Sequence, residues 1–171
     1  LINRISMIHF MPCYGLGLGA AVLTGQNLGA GQPVRAARSG WFAAALTGGF
    51  SVALALTVLL WAENMVGLFT TDPTLVQTAG AFLRISAVAF VVTGFGSPLQ
   101  LCISGAGDTL MPMLVVLATM WAVQTPLAFL LPKVDVLGVY GVRWAIVAAA
   151  VVGAAAYVAY FRLGKWQHKK I

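Results

Sequence analysis

The sequence predicts an all-α protein, a polytopic membrane bundle of five transmembrane helices. Of its 171 residues, 60% are hydrophobic and only 8% are charged, whereas a soluble domain carries about 25% charged residues. The charged residues lie between apolar runs, and each run reaches the roughly 18 residues that a transmembrane helix needs. The net charge of +6 comes from basic residues scattered between these runs, so it indicates membrane anchoring and not nucleic-acid binding.

The first helix is predicted over residues 4–28, because residues 5–34 contain no Asp, Glu, Lys or Arg. Pro12 lies in its first half, where a missing backbone donor and a ring clash bend a helix. Two pairs of glycines are four residues apart, Gly15 with Gly19 and Gly25 with Gly29. Small residues at this spacing let another helix approach closely in lipid.

A glycine-rich stretch at residues 25–31 then separates the first helix from the second. Its glycines allow the backbone to leave the helix, and Pro33 starts a new short helical turn. Arg35 and Arg38 are three residues apart and therefore share one face of that turn. Arginines beside membrane-length apolar runs are typical of a cytoplasmic loop at the lipid headgroups.

The second helix is predicted over 40–62, a charge-free stretch that an acidic residue follows. The third is predicted over 73–104, since Asp72 is a typical N-cap and Pro73 a typical first-turn residue. Pro98 interrupts the hydrogen-bond ladder inside the third helix.

The fourth helix is predicted over 109–131, after a second Gly-Ala-Gly stretch and with Asp108 or Thr109 as its N-cap. The fifth is predicted over 142–161, a run rich in Ala and Val, and a basic tail over 162–171.

The positions of the basic residues predict the orientation. Five spans place six basic residues on one side of the membrane: Arg35, Arg38, Arg162, Lys165, Lys169 and Lys170. They place four on the other: Arg4, Arg84, Lys133 and Arg143. The side with more basic residues is expected to be cytoplasmic.

Three motifs occur in order along the chain: GQNLGAG at 25–31 with Arg35, LFTTDP at 68–73, and GAGDT at 105–109 followed by Pro112. In this order and spacing they resemble the MATE family of multidrug and toxic-compound exporters. The matching loop residues are Gly25, Gly29, Gly31, Arg35, Gly105, Gly107 and Asp108.

This resemblance covers nearly the whole chain and implies the eighth to twelfth helices of a twelve-helix exporter. It implies a cell-membrane protein with a cytoplasmic C-terminus, whose two bundles rock to exchange Na⁺ or H⁺ for organic, often cationic and amphipathic compounds. The expected partners are the lipid bilayer, the small-molecule substrate and the missing N-terminal helices. Position 1 is Leu, so we expect a C-terminal piece of a longer protein.

Two alternatives to an exporter remain open. A lipid-linked precursor flippase of the same superfamily would need a basic cavity for a diphosphate, and no Arg or Lys lies deep in the predicted spans. A scaffold subunit without transport would have straighter helices, with fewer prolines in mid-span. We predict no enzyme, because no catalytic set and no phosphate-binding loop occurs.

The candidate cavity residues are the uncharged polar and aromatic side chains of the spans: Gln26, Asn27, Gln100, Gln124, Phe95, Met120 and Trp121. The two glutamines Gln100 and Gln124 can bind substrate or a neighbouring helix. Gln26 and Asn27 can line a gate or satisfy backbone carbonyls at the helix exit. Phe95, Met120 and Trp121 can form a wall for hydrophobic cations, or they can pack against protein and lipid.

Ionisable side chains deep in the spans are the usual functional candidates of membrane proteins. No Asp or Glu lies there, so we expect no cofactor or metal and place the coupling-ion site outside this chain. His9 is predicted as an interfacial histidine, with a proton carrier as the alternative. Asp108 is predicted as a helix cap, with a proton relay as the alternative. Cys13 and Cys102 are expected to pack in the core. Three tryptophans near span ends are expected to form an interface belt: Trp61, Trp144 and Trp166.

Overall fold

The computed structural model describes residues 2–133 and 138–168. The helices, in chain order, are α1 (Ile2–Gly29), α2 (Pro33–Gly67), α3 (Pro73–Gly105), α4 (Leu110–Ala118), a π-helical segment (Thr119–Gln124), α5 (Thr125–Leu130) and α6 (Gly141–Leu163). Short 3₁₀ turns occupy Leu131–Lys133, Gly138–Tyr140 and Lys165–His168. The described residues contain no strand, and five helices are long and apolar enough to cross a membrane. The predicted fold class is therefore confirmed.

Helix α3 is the centre of the bundle, because it packs against α1, α2 and α6. The fourth span, Leu110–Lys133, packs chiefly against α6. Small residues permit these approaches: a Cβ on Gly96 of α3 would lie 2.9 Å from the Cβ of Ala154 on α6. Close backbone approach at small residues is the usual way in which helices associate in lipid.

Two hydrophobic cores lie at opposite ends of the bundle. One joins the end of α1, the start of α2, and the ends of α3 and α6, and it includes Leu99, Ile103 and Phe161. The other joins the start of α1, the end of α2 and the start of α3, around Ile5 and Leu83. The helices therefore alternate in direction, as five successive spans require.

The two Gly-Ala-Gly stretches, which we call the first corner (residues 29–31) and the second corner (residues 105–107), lie at the same end of the bundle. Just before the first corner, a Cβ on Gly25 would lie 2.9 Å from the carbonyl oxygen of Gly105. Gly31 and Gly107 both have positive φ, of 70° and 84°, a conformation that glycine adopts without strain. Both corners therefore turn the chain beside each other.

Helix α2 is longer than the predicted 40–62. It begins at Pro33, so the residues expected to form a short turn are its first two turns, and it continues to Gly67. Its irregular residue is Trp61, with φ −122° and ψ 23°. In the middle of α2, Gly48 packs closely against the ring of Phe95.

Prolines have different effects in α1, α3 and the fourth span. α1 and α3 each continue as one helix past Pro12 and Pro98. In the fourth span, the π-helical segment Thr119–Gln124 ends two residues before Pro126. A proline provides no N–H for the carbonyl four residues earlier and its ring crowds that carbonyl, so a wider local turn is a physical consequence.

Two of the predicted interface residues are buried instead. Trp166 is fully buried and stacks on Phe161, with ring centroids 4.6 Å apart. Its indole N–H donates to the carbonyl of Phe161 at 3.0 Å, which attaches the start of the tail to the bundle. His9 is also buried, and its surroundings are described below. Trp61 and Trp144 are exposed, at 51% and 38%.

Candidate functional site

A pocket of about 250 Å³ lies between α3, the fourth span and α6. It brings together Gln100 of α3 and Gln124 of the fourth span, which are the two deeper glutamines among the candidate residues. The other polar side chains of its lining are Thr93, Ser97, Thr119 and Tyr157. The remaining lining residues are small or aliphatic, and no charged side chain of the described residues is among them.

Two of the four hydroxyl groups of the pocket bond within their own helices. Thr93 donates to the carbonyl of Ala89 at 2.7 Å, and Thr119 donates to that of Val115 at 2.8 Å. The hydroxyl of Tyr157 donates to the carbonyl of Pro112 on the fourth span at 3.4 Å. The amide groups of the two glutamines, each with two donors and an acceptor, can meet a polar ligand in the pocket together with the hydroxyl of Ser97.

The π-helical segment forms one wall of the pocket. Gln124 is its last residue, and the hydroxyl of Thr125 donates to the carbonyl of Met120, five residues back, at 2.8 Å. π-helical turns are rare and occur often at functional sites, since they alter the direction of side chains within a helix. Here the wider turn ends at the residue that lines the pocket.

The three residues predicted as a possible wall for hydrophobic cations lie on two different spans. Phe95 lies on α3 against Gly48 of α2. Met120 and Trp121 lie on the fourth span and are exposed, Trp121 at 67%. None of the three lines the pocket that contains the glutamines.

Gln26 and Asn27 lie near the end of α1, away from that pocket. The side-chain amide of Asn27 donates to the carbonyl of Leu23 at 2.7 Å, a contact of the backbone-satisfying kind. Gln26 is exposed. Asn27 also lines a second cavity with Arg35, at the start of α2.

Beyond the second corner, Asp108 is fully buried. Its Oδ2 accepts a hydrogen bond from the hydroxyl of Tyr160 at 2.5 Å. The N–H of Met111 is 3.5 Å from its Oδ1, which is at the limit for a hydrogen bond, and Thr109 makes no side-chain cap. The weak cap that Asp108 gives the fourth span is therefore secondary to its hydrogen bond with Tyr160, which joins the end of the second corner to α6.

A buried polar cluster between α1 and α2 escaped sequence reasoning. The Nε2 atom of His9 lies 2.8 Å from the hydroxyl of Ser51 and 3.6 Å from the thiol of Cys13. The imidazole also stacks on Phe90 of α3, with centroids 4.7 Å apart. The prediction of an interfacial histidine was wrong, because α2 and α3 cover this face of α1. The four-residue spacing of His9 and Cys13 was the available signal, since it puts both on one face of a helix.

Taken together, the apolar spans, the close helix crossings and a polar pocket between them define a polytopic membrane helix bundle. Comparison with known proteins gives the family. The MatE family model matches residues 1–130, and the chain belongs to this family.

Relatives and one solved structure extend the comparison. The chain is 24% identical over 171 residues to a probable multidrug resistance protein NorM of Thermotoga maritima, with 98% of this chain and 36% of that protein covered. It is 31% identical over 138 residues to the multidrug resistance protein PmpM of Pseudomonas aeruginosa, with 77% and 28% covered. The chain thus spans about a third of the length of these relatives.

A solved structure has the same fold, with a TM-score of 0.85 and 21% identity over 95% of this chain and 38% of the other. It is described as the inward-facing conformation of a multidrug resistance MATE family transporter of the MOP superfamily.

Proposed function

We propose that this chain forms five helices of a secondary active antiporter, which exports organic, cationic and amphipathic compounds in exchange for Na⁺ or H⁺. Two six-helix bundles would rock between outward-facing and inward-facing states, and this chain would supply most of one bundle. Family membership and the names of the relatives as multidrug resistance proteins support this proposal.

The observation that carries the proposal is the pocket between α3, the fourth span and α6. It combines an apolar wall with the neutral amides of Gln100 and Gln124. Such a surface binds an amphipathic compound mostly by apolar contact and orients its polar group by a few hydrogen bonds. The absence of basic side chains from the described lining favours an exporter over a flippase, which would have to hold a diphosphate.

The coupling ion is proposed to bind elsewhere in the complete transporter. A cation pathway in a membrane needs an acidic or similarly polar group, and no acid of the described residues lines the pocket. Glu63 pairs with Arg84 at 3.0 Å, with both side chains about half exposed, and Asp108 is bonded to Tyr160.

The orientation is proposed from the same geometry. The core that contains the ends of α1 and α3 also contains Phe161 and Trp166, so the tail begins at the same end as both corners. Arg35, Arg38, Arg162 and Lys165 lie at this end, and the sequence continues with Lys169 and Lys170, which are outside the described residues. By the positive-inside rule we propose that this end and the C-terminus are cytoplasmic.

Ethidium efflux from cells that lack their own pumps tests the proposal, with the complete transporter expressed. We expect export by the wild type, and a reduction of about two- to tenfold for Gln100→Leu and for Gln124→Leu, the factor for one lost hydrogen bond. Thr57→Val is the control, since Thr57 is exposed on α2 and its hydroxyl bonds only its own helix, at the carbonyl of Ala53.

Retention of dye by the wild type at normal expression would contradict drug export and favour a scaffold. Export at the wild-type rate by both glutamine variants would not affect the family assignment, but it would show that this pocket takes no part in export.

A further inference from the structure

Two adjoining cavities lie where α1 ends and α2 begins. The first, which we call the headgroup pocket, has a volume of about 500 Å³ and is lined by Asn27, Arg35, Arg38, Ser39 and Phe42. It is the more polar of the two, and it opens at the end of the bundle that carries both corners.

The second cavity, which we call the acyl groove, has a volume of about 330 Å³ and runs between α1 and α2. Its lining includes Gly15, Gly19 and Leu23 of α1 and Leu46 of α2. A Cβ on either glycine would meet no atom within 4 Å, so within the described part of the chain no helix fills the space above them.

The two cavities adjoin each other, because Ser39 and Phe42 line both. The groove extends from the level of Leu23 to that of Gly15, eight residues or about 12 Å along a helix. The hydrocarbon region of one leaflet is about 15 Å deep. An extended apolar chain can therefore follow the groove from the interface toward the middle of the membrane.

The charge of the headgroup pocket selects an anion. Both arginine side chains are exposed, and one N–H of Arg35 donates to Oε1 of Gln32 at 2.9 Å. A guanidinium has five N–H donors, so Arg35 keeps others for a ligand. The hydroxyl of Ser39 donates to the carbonyl of Arg35 at 3.0 Å, which leaves the two arginines as the main anion-binding groups. No acidic side chain among the described residues lines either cavity.

We propose that the headgroup pocket and the acyl groove together bind one anionic phospholipid. Its phosphate contacts Arg35 and Arg38, and one of its acyl chains lies over Gly15 and Gly19. Arginine forms paired hydrogen bonds to phosphate oxygens, and an acyl chain is the ligand that matches a glycine-floored groove of this length.

Native mass spectrometry of the complete transporter tests this proposal, with dioleoylphosphatidylglycerol or dioleoylphosphatidylcholine added to the purified protein. We expect the protein to retain the anionic lipid, dioleoylphosphatidylglycerol, in preference to dioleoylphosphatidylcholine. The double variant R35Q/R38Q should retain it at least about tenfold less, because the loss of even one charge-assisted hydrogen bond corresponds to that factor. Lys165→Gln, which removes one charge just beyond α6, should retain it as the wild type does.

A second variant tests the groove. Gly19→Leu places a side chain in the open space of the acyl groove and should reduce retention of both lipids. Gly49→Leu is its matched control, because Gly49 is also exposed in mid-helix and a Cβ there meets no atom. Inorganic phosphate should not displace the bound dioleoylphosphatidylglycerol, since phosphate cannot fill the acyl groove.

Several outcomes would overturn the proposal. Unchanged retention in R35Q/R38Q or in Gly19→Leu, or an equal loss in Lys165→Gln, would show that lipid binds elsewhere or by general charge. Displacement by phosphate would indicate a simple anion site. Failure of Gly19→Leu to fold, with Gly49→Leu intact, would show that another helix occupies the groove. Lipid retention is measured without efflux, so the result does not depend on the proposed transport.

Discussion

Replacement of Gly105 by Ala tests the close crossing of α1 and α3 beside the second corner. Gly105 is the last residue of α3, and its φ is not positive, so alanine fits its backbone conformation. A Cβ there would lie 2.5 Å from the carbonyl oxygen of Ala21 on α1. This distance is about 0.9 Å short of the 3.4 Å at which ordinary contact begins.

The clash cannot be relieved by a change of rotamer, because the atom that the new methyl meets belongs to the backbone of α1. The two helices must move apart, and overpacking of this kind typically costs about 1–3 kcal/mol. Alanine in place of glycine gains about 1 kcal/mol of helix propensity in water. We therefore expect Gly105→Ala to lower the free energy of unfolding by up to about 2 kcal/mol, which is the overpacking cost less that gain.

The measurement is the apparent melting temperature of the complete transporter in detergent, followed by size-exclusion chromatography. Gly19→Ala is the control, because it has the same propensity gain and its Cβ meets nothing. The difference between the two variants then reports the overpacking cost. Equal melting temperatures would refute the close crossing of α1 and α3 at this position.

Two further pairs of variants test other contacts by the same melting assay. Tyr160→Phe removes the donor to the buried carboxylate of Asp108 and should cost about 1–3 kcal/mol. Tyr157→Phe should cost far less, because that hydroxyl makes a long bond of 3.4 Å, and equal losses would contradict the role of Asp108. Gly48→Ala should destabilise the protein, because a Cβ there meets the ring of Phe95. Gly49→Ala should not, because a Cβ there meets open space. A larger loss of stability in Gly49→Ala than in Gly48→Ala would show that α2 is rotated.

The fold could be predicted because each transmembrane helix corresponds to a long, uninterrupted apolar run in the sequence. The positions of the helix ends were harder to predict. The arginines Arg35 and Arg38 indicated a loop at the membrane surface, yet Pro33 starts α2 directly, and the arginines occupy its first two turns. A charge near a helix end identifies the interface but does not end a helix.

The site could be predicted only in part, since its geometry depends on contacts between distant segments. Gln100 and Gln124 were found because uncharged polar residues are rare in apolar spans, and they line one pocket. The partner of Asp108, by contrast, is Tyr160, 52 residues away, and no local pattern indicates that pairing. His9 was misplaced for the same reason, because its burial depends on Phe90 of another helix.

In the proposed orientation, five spans put both corners on the cytoplasmic side of one membrane. Labelling of single cysteines by a membrane-impermeant maleimide tests it in intact cells, in a cysteine-free background of the complete transporter. Gln32 and Thr109 represent the two corners and Thr71 the opposite end, and all three are exposed. We expect cysteine at position 71 to be labelled from outside, and cysteine at positions 32 and 109 to be labelled only after the cells are opened. Labelling of positions 32 and 109 from opposite sides would contradict it.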